Sequence, residues 1–284
     1  MVGLDIRTVR PEDFKFIIEL ATSEGVKYNV QDLIRIINYE PEGFFIAVDG
    51  ENKLGVVSTV SYGVVGWLGN LFVKEQARRR GIGTKLVKKA LEYMESKGVK
   101  ATKLYCFPNN IPFYRRLGFK NELSYVVFRG EGRRMDSGGV EEMDEDLLDE
   151  LYAFDRRIFG ADRSKVLKAI YNQFREYCFA AYMNGEVAGY IMAAGSEGQY
   201  EVGPWICNPE WQERLAGELL KAEMNMLRGV EFEITSPQYS EVAERILLSF
   251  GLKSEGKVVR MSFGEDLNLG ESEAILGVGS LDCG

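Results

Sequence analysis

Apolar and polar positions in the first half of the chain follow two different periods, as expected of a fold that mixes helices with strands. Residues 11–21 and 31–39 place apolar side chains at helical spacing. Residues 44–48 and 54–60 are rich in β-forming residues, and the DGEN turn between them suits a hairpin. Residues 64–73 predict a further apolar strand. The pattern therefore predicts two helices followed by three strands.

A long amphipathic helix comes next, because apolar residues recur in steps of four along one stripe: Ile82, Leu86, Ala90 and Met94. Residues 103–107 predict another strand, and residues 113–117 predict a short helix that Gly118 closes. The order β-α-α-β-β-β-α-β-α-β implies a mixed sheet flanked by helices.

The second half of the chain repeats this pattern. Five pairs of matching positions lie 133 or 134 residues apart: Asp13 and Asp146, Phe45 and Phe179, Gly55 and Gly189, Gly69 and Gly203, and Gly118 and Gly251. A near-constant offset indicates a tandem duplication of one fold. Gly, Ser and charged residues at 131–140 are typical of an exposed linker. We therefore predict domains at 1–130 and 141–284, joined by this linker.

The composition excludes several kinds of site. The chain has no histidine among its 284 residues, which rules out Ser-His-Asp and Cys-His nucleophiles and histidine metal ligands. The four cysteines form no CxxC pair, so buried reduced thiols in a cytoplasmic protein are expected, without a metal. No apolar run approaches the length of a membrane helix, and no signal peptide is apparent. We expect neither a membrane nor a metal partner.

Charge divides unevenly between the halves. Residues 1–130 carry 20 basic and 14 acidic side chains, a net of +6, whereas residues 131–284 carry 15 and 29, a net of −14. An acidic chain without a long basic stripe is a poor nucleic-acid binder, so no nucleic-acid partner is expected. The asymmetry suggests that the halves meet partners of opposite sign.

The segment LFVKEQARRRGIGTKLVKKAL carries the clearest chemistry, because an apolar strand enters a basic, glycine-containing turn that opens a helix. A helix N-terminus attracts anions, and glycines let a phosphate approach the backbone. The turn lacks both the Walker GK[ST] and the dinucleotide G-x-G-x-x-G patterns. It predicts a pyrophosphate site formed by Arg78, Arg79, Arg80, Gly81 and Gly83. The alternative is an exposed basic turn whose glycines serve geometry alone.

This turn resembles a known family signature. Arg78-x-x-Gly81-x-Gly83 after a strand is similar to the acetyl-CoA motif of the GNAT N-acetyltransferases, and PFYRRLGF at 112–119 resembles the family's second marker. WLGNLFV and GPWIC look like a subgroup of tandem GNAT proteins with a degenerate second copy. The resemblance implies an α/β (α+β) protein with two tandem GNAT folds, each a mixed, mostly antiparallel sheet flanked by helices. Residues 1–130 would be catalytic.

The resemblance also implies a reaction and a site. Acetyl-CoA would be the co-substrate, an acceptor amine would attack the thioester directly, and Tyr114 would protonate the leaving thiolate. For Tyr114 core packing is the alternative role, and Tyr105 is an alternative acid. The cofactor-binding residues implied are Leu71, Phe72, Val73, Arg78, Arg79, Arg80, Gly81, Ile82, Gly83, Thr84 and Phe113. Many relatives carry a glutamate on the strand before the loop, but this chain has WLGN there, so its general base is unassigned.

The second copy lacks this chemistry. An ungapped alignment at an offset of 133 pairs Arg78 with Trp211, Gly81 with Arg214, Gly83 with Ala216, and Tyr114 with Leu247. Residues 141–284 are therefore predicted to be silent, without a CoA loop, and to serve as a substrate wall or as a packing or homodimer surface. The apolar segment AILGVGSLDCG could add an edge strand or cover the sheet.

A small basic amine is the favoured acceptor, because carboxylates of the acidic half would concentrate cations if they lined its entrance. The acidic run at 141–150 could equally be a solvated helix face. Two other functions stay open. A protein or peptide N-acetyltransferase should show an open groove rather than an enclosed pocket, and a non-catalytic acyl-CoA sensor would explain the missing strand carboxylate.

Overall fold

The computed structural model describes residues 3–196, 198–267 and 269–284, with only the backbone of Ser196. Within these residues the helices are α1 Phe14–Ser23, α2 Val30–Tyr39, α3 Ile82–Ser96, α4 Ile111–Arg116, α5 Leu148–Phe159, α6 Ser164–Gln173, α7 Gln212–Met226 and α8 Glu241–Ser249. The strands are β1 Asp5–Thr8, β2 Phe44–Asp49, β3 Asn52–Tyr62, β4 Val65–Val73, β5 Ala101–Cys106, β6 Lys120–Glu131, β7 Glu141–Glu142, β8 Cys178–Met183, β9 Glu186–Ser196, β10 Gln199–Cys207, β11 Glu231–Pro237, β12 Lys253–Gly264 and β13 Ile275–Gly277. The predicted order of helices and strands is confirmed in the first half.

The two halves share one sheet, because each gives its last long strand to the other. The strand order is β1-β2-β3-β4-β5-β12-β6-β11-β10-β9-β8-β7, and β13 pairs with β10. β12 of the second half pairs antiparallel with β5, and β6 of the first half pairs antiparallel with β11. Main-chain hydrogen bonds therefore join the halves continuously, a feature that the duplication pattern does not reveal.

Helices cover both faces of this sheet. On one face, α1 and α2 share a hydrophobic core with α5 and α6, in which Leu33 and Leu167 are fully buried. On the other face, α3 and α4 pack over the first half, and α7 and α8 pack over the second. The stripe predicted for α3 is confirmed, since all four of its residues are at most 3% exposed. The face shared by α1, α2, α5 and α6 is where the two halves meet.

Residues 275–284 connect the halves a second time. β13 pairs antiparallel with β10, which lies between β9 and β11, so the apolar segment adds a strand inside the sheet rather than the edge strand expected from the sequence. Beyond it, Val278 N–H donates to Thr235 O of β11 at 2.9 Å, and Tyr62 Oη of β3 donates to Cys283 O at 2.8 Å. The segment therefore runs from the sheet of the second half into the core of the first.

Glu40, which follows α2, is a buried ionic contact between the halves. Its carboxylate accepts hydrogen bonds from Ser61 N (3.0 Å) and Oγ (2.7 Å), Tyr93 Oη (2.7 Å) and Lys165 Nζ of α6 (2.9 Å). Burial by itself would raise the pKa of Glu40, but these hydrogen bonds and the ammonium lower it to about 2. A carboxylate with a depressed pKa stabilises the fold above its unfolded pKa.

We expect Glu40→Gln to lower the free energy of unfolding by about 2–3 kcal/mol at pH 7, since each pKa unit corresponds to about 1.4 kcal/mol. The same stability is lost from the wild type as the pH falls from about 5 to 2, because the folded carboxylate must then take up a proton. Urea unfolding at pH 7 and pH 3 measures both. Glu42→Gln is the control, since Glu42 is 76% exposed. Equal unfolding free energies for Glu40→Gln and the wild type at pH 7 would contradict this role.

Candidate active site

β4 leaves its neighbour β5 partway along its length. The two strands pair in parallel only at the start of each, from Val65 to Trp67 on β4. Lys74 N–H donates to Leu54 O of β3 at 2.9 Å, so strand alternation turns the N–H and C=O of Val73 toward the side away from β3. The end of β4, with Leu71, Phe72 and Val73, thus presents an edge to which an extended ligand could add as a strand.

A kink in β4 marks the point of divergence. Asn70 has a positive φ of 50°, a conformation that asparagine tolerates better than most residues. Its Nδ2 donates to Ser58 Oγ of β3 at 3.0 Å, which holds the kink in place. The register between β3 and β4 shifts at the same point. The kink therefore belongs to the fold rather than to a loose strand end.

The predicted basic turn lies between β4 and α3. A single 3₁₀ turn at Glu75–Ala77 leads into three exposed arginines, and Gly81 caps α3 with φ of +79°. A Cβ on Gly81 would have no atom within 4 Å, so its missing side chain leaves open space in front of the helix. Ile82 is buried and anchors the helix start. The first turn of α3, including Thr84, carries no acidic residue, as an anion site requires.

Two residues of the motif differ from the sequence expectation. Gly83 does not face open space, because its Cβ would contact the Phe113 ring of α4 at 3.4 Å. Arg78 points back to the strand, where Nε donates to Val73 O at 3.0 Å and the guanidinium pairs with Glu24 at the end of α1. Arg78 therefore supports the turn, whereas Arg79 and Arg80 are exposed beside the N-terminus of α3.

Tyr114 lies beneath this turn. It is 7% exposed and packs edge-on between Phe113 and Phe119, with centroid distances of 5.0 and 5.7 Å. It shares one hydrophobic cluster with Leu71 and Val73 of β4. Burial, and then the neighbouring Cys106 thiol, raise the pKa of Tyr114 well above its usual value of 10. The phenol is therefore protonated at neutral pH, as a proton donor must be.

Tyr105, the alternative acid, occupies the other face of the sheet. Its ring packs edge-on to Tyr125 of β6 at 5.1 Å, beside Arg260 of β12. It lines a small cavity of about 50 Å³ rather than the cluster under α3 and α4. The structure thus brings Tyr114, and not Tyr105, together with the end of β4.

Between β10 and α7, where every residue is described, the second half has no counterpart of the basic turn. Its elements follow those of the first half at an offset of 134 residues as far as the 3₁₀ turn at Pro209–Trp211, which matches Glu75–Ala77. α7 then begins at Gln212, only 130 residues after α3 begins at Ile82. The four residues that correspond to 78–81 are therefore deleted, and the helix continues directly from the 3₁₀ turn.

This deletion corrects the ungapped alignment. Arg214 lies within the first turn of α7 and does not correspond to Gly81, and Trp211 corresponds to Ala77 rather than to Arg78. Gly83 likewise corresponds to Glu213 and not to Ala216. The pairing of Tyr114 with Leu247 is retained, since each helix ends two residues before a glycine with positive φ, Gly118 and Gly251 respectively.

A cavity of about 260 Å³ lies between the two halves, on the face where their helices meet. Its walls come from the loop between α1 and α2, from α2, α6, β6 and β9–β11, and from residues 279–283. The carboxylates of its lining are Asp32, Glu201, Glu231, Glu233 and Asp282, and its cations are Lys27, Arg35 and Arg129. Arg35 pairs with Asp32 at 3.1 Å, and Arg129 pairs with Glu233.

The cavity reaches the kink of β4 through two of its lining residues. Tyr28 Oη lies 2.7 Å from Asn70 Oδ1 and 2.9 Å from Asp282 Oδ2, and Asn70 N–H donates to Asp282 Oδ1 at 3.2 Å. The sequence predicted none of Tyr28, Asp282 and Glu201 individually: a base was expected only on the strand before the loop, and the carboxylates of the acidic half were considered only as a group. No local pattern marks these residues, which become neighbours only in the folded chain.

The acidic run at 141–150 lies elsewhere. None of its residues lines the cavity, and all but two of them are exposed. Glu141–Glu142 form β7 at the far edge of the sheet. The position favours the solvated-face alternative for this run, and the acidic character of the cavity comes from other carboxylates.

Within residues 3–196, 198–267 and 269–284, no helix is long and apolar enough to cross a membrane. The same residues contain no cluster of three or more Cys, Asp or Glu side chains arranged to hold a metal ion.

Comparison with known proteins agrees with the fold and the motif. Residues 14–119 match the model of the acetyltransferase (GNAT) family, and residues 151–276 match an acetyltransferase (GNAT) domain model. The holothin acyltransferase of Pseudoalteromonas sp. is 23% identical over 96% of this chain and 92% of its own length. A putative acetyltransferase from Pyrococcus horikoshii shares the fold with a TM-score of 0.85 and 21% identity, over 100% of this chain and 97% of that one.

A tandem GNAT protein from the clavulanic acid biosynthesis pathway has the same double architecture. It superposes with a TM-score of 0.69 and 13% identity, over 94% of this chain and 100% of its own. The two family matches together span both halves, and the sheet, the kinked β4 and the turn before α3 follow the order expected of that family. The chain belongs to the GNAT acetyltransferase family and carries two GNAT domains in tandem.

Proposed function

We propose that this protein transfers the acetyl group of acetyl-CoA to a small basic amine, using its first domain for the acyl donor. The observation that carries the proposal is the juxtaposition in the first half of the end of β4 beyond its pairing with β5, the basic turn at the N-terminus of α3, and Tyr114 in one cluster. The nearly full-length similarity to an acyltransferase that acts on holothin supports acyl transfer as the reaction class.

Different residues of the first domain would bind acetyl-CoA and protonate its leaving thiolate. The backbone N–H groups at Gly81, Ile82 and Gly83 suit the pyrophosphate, and the edge of β4 suits the pantetheine arm. Acetyl-CoA supplies an activated thioester, so the acceptor amine needs no protein nucleophile. Tyr114 donates its phenolic proton to the leaving sulfur as the C–S bond breaks. A chain without histidine is compatible with this route.

The cavity between the domains supports a small, cationic acceptor. It is walled by elements of both halves, as expected of a pocket for a small molecule, whereas a protein acceptor would require an open groove. Five carboxylates and three cations line it, so the carboxylates outnumber the cations. The local field therefore favours an ammonium group.

An acceptor panel with thiol detection tests the proposal. With acetyl-CoA, we expect thiol release with spermidine, glucosamine or lysine, and none above background hydrolysis with glutamate. The value of kcat/KM for the cationic acceptor should fall as the Debye length decreases from about 30 Å to about 8 Å. Acetyl-CoA binding without thiol release in the presence of any amine would favour the sensor, and release with a peptide alone would favour a protein acceptor.

A further inference from the structure

Residues 278–284 are seated at the kink of β4 by complementary shape. A Cβ on Gly69 would lie 2.7 Å from Asp282 Cα, so glycine is required there for the segment to approach. Arg163 Nη1 of the second half donates to Gly284 O at 2.7 Å, beyond the contact of Tyr62 with Cys283. The position of Asp282 is therefore fixed from both sides by the fold.

The Asp282 carboxylate has more acceptor sites than the neighbouring groups have hydrogen-bond donors to fill them. It accepts from Asn70 N–H, and Tyr28 Oη lies within hydrogen-bond distance of both Asp282 Oδ2 and Asn70 Oδ1. A hydroxyl has one proton and donates to one of these acceptors at a time. A carboxylate has about four lone-pair sites, so Asp282 retains acceptor capacity for a proton or an N–H of a ligand.

Glu201 supplies a second carboxylate from β10 of the second half. It lines the same cavity as Ser280 and Asp282, which belong to the segment after β13. Within the described part of the chain, no lysine or arginine forms an ion pair with Glu201 or Asp282. Arg35, which is near both, is held by Asp32 and by Gln173 Oε1 at 2.7 Å.

We propose that Asp282 and Glu201 form the acceptor-amine site, in which both carboxylates hold the ammonium and Asp282 takes its proton. This inference rests on the proposed function. The second domain and the segment after β13 would then supply the base that is missing from β4 of the first domain. Asp282 accepts a hydrogen bond from Asn70 N–H at the kink of β4, so its carboxylate lies next to the strand edge assigned to the acyl donor.

The proton balance is simple. Of the three N–H protons of an acceptor ammonium, one passes to Asp282 and then to solvent, and one stays on the amide. The third leaves to solvent as nitrogen bonds to the carbonyl carbon, and it balances the proton that Tyr114 gives to sulfur and recovers from solvent. The products are the N-acetyl amine and free CoA thiol, with one net proton released.

The electrostatics of the two groups agree with this geometry. Desolvation by the cavity walls, followed by the charge of Asp282, raises the pKa of Glu201, although solvent reaches its exposed side chain and reduces the shift. Burial raises the pKa of Asp282, although hydrogen bonds from Tyr28 and Asn70 oppose the shift. The other titratable or charged groups that line the cavity around this pair are Lys27 and Tyr28 of the α1–α2 loop, Asp32, Arg35 and Tyr39 of α2, Arg129 of β6, Tyr200 of β10, Glu231 and Glu233 of β11, and Cys283. A cation between the carboxylates would relieve their mutual repulsion.

Steady-state kinetics with spermidine and acetyl-CoA test the assignment in the full-length protein. Asp282→Asn should lower kcat by about 10²-fold or more and remove the acidic limb of the pH profile, with acetyl-CoA affinity within about twofold. Glu201→Gln should raise KM for spermidine by about tenfold with a smaller change in kcat. Asp149→Asn, which removes an exposed carboxylate of α5, should match the wild type. Wild-type kcat and pH profile in Asp282→Asn would overturn the proposal.

Calorimetry keeps the test independent of turnover and of folding defects in Asp282→Asn. Spermidine alone, titrated at pH 7 in two buffers of different ionisation enthalpy, should bind the wild type with proton release, because an ammonium lowers the pKa of Glu201. Glu201→Gln should bind without that release. Equal proton release by both would also overturn the site. Binding with proton release but no acetyl transfer would refute the proposed function and leave the cation site standing.

Discussion

Gly81→Glu will abolish acetyl-CoA binding, with Kd rising by at least about 100-fold, because the new carboxylate repels the pyrophosphate at short range. The residue caps α3, and open space lies in front of it. The added side chain therefore occupies the space that the anion needs. It also places a negative charge at the positive end of the helix dipole, where the anion itself would bind.

Isothermal titration with acetyl-CoA measures this effect, and two variants separate its causes. Gly81→Ala introduces only the strain of a left-handed φ and should lower affinity slightly. Arg214→Glu makes a larger charge change in the first turn of α7 and should leave binding intact, because the second half lacks the turn. Equal loss of binding in Gly81→Glu and Arg214→Glu would refute the assignment of the acyl donor to the first domain.

Tyr114→Phe will lower kcat by about 10²–10⁴-fold, the usual contribution of a general acid, while acetyl-CoA affinity stays nearly unchanged. The hydroxyl is required when negative charge develops on sulfur, which is a demand of the transition state and not of the bound donor. The aromatic packing against Phe113 and Phe119 is retained in phenylalanine.

Single-turnover thiol release, under conditions limited by chemistry, is the appropriate measurement. Tyr105→Phe removes a phenol from the other face of the same region and should retain turnover within a few-fold. A Tyr114→Phe enzyme with the wild-type rate would remove Tyr114 from the mechanism. Loss of rate in Tyr105→Phe alone would transfer the role of the acid to that residue.

The tandem architecture explains why a domain without the basic turn is retained. β6 and β12 are exchanged between the halves, and two hydrogen bonds cross the junction, from Lys165 to Glu40 and from Tyr62 to Cys283. The second domain is thus part of the first domain's sheet and core, whatever its own chemistry. Loss of its turn leaves this structural contribution intact.

The sequence by itself determined the local structure and the family. Apolar spacing of 3.6 or two residues is set by which face of each helix or strand is buried, so α3 and the β2–β3 hairpin were predictable from their own residues. The turn before α3 was also recognisable, because its chemistry is contained in one short stretch of the sequence. Its arginines and glycines are contiguous, and Gly81 is required by a backbone conformation that other residues adopt poorly.

The tertiary structure alone decided the strand exchange, the four-residue deletion and the cavity. A strand's residues specify which face it buries but not which of two similar neighbours it pairs with, so the duplication could not reveal that β6 lies beside β11. Tyr28, Asn70, Glu201 and Asp282 are far apart in the sequence and are joined by single hydrogen bonds or shared cavity walls. Such contacts produce no periodic pattern in the sequence, because each depends on where separate elements meet in the folded core.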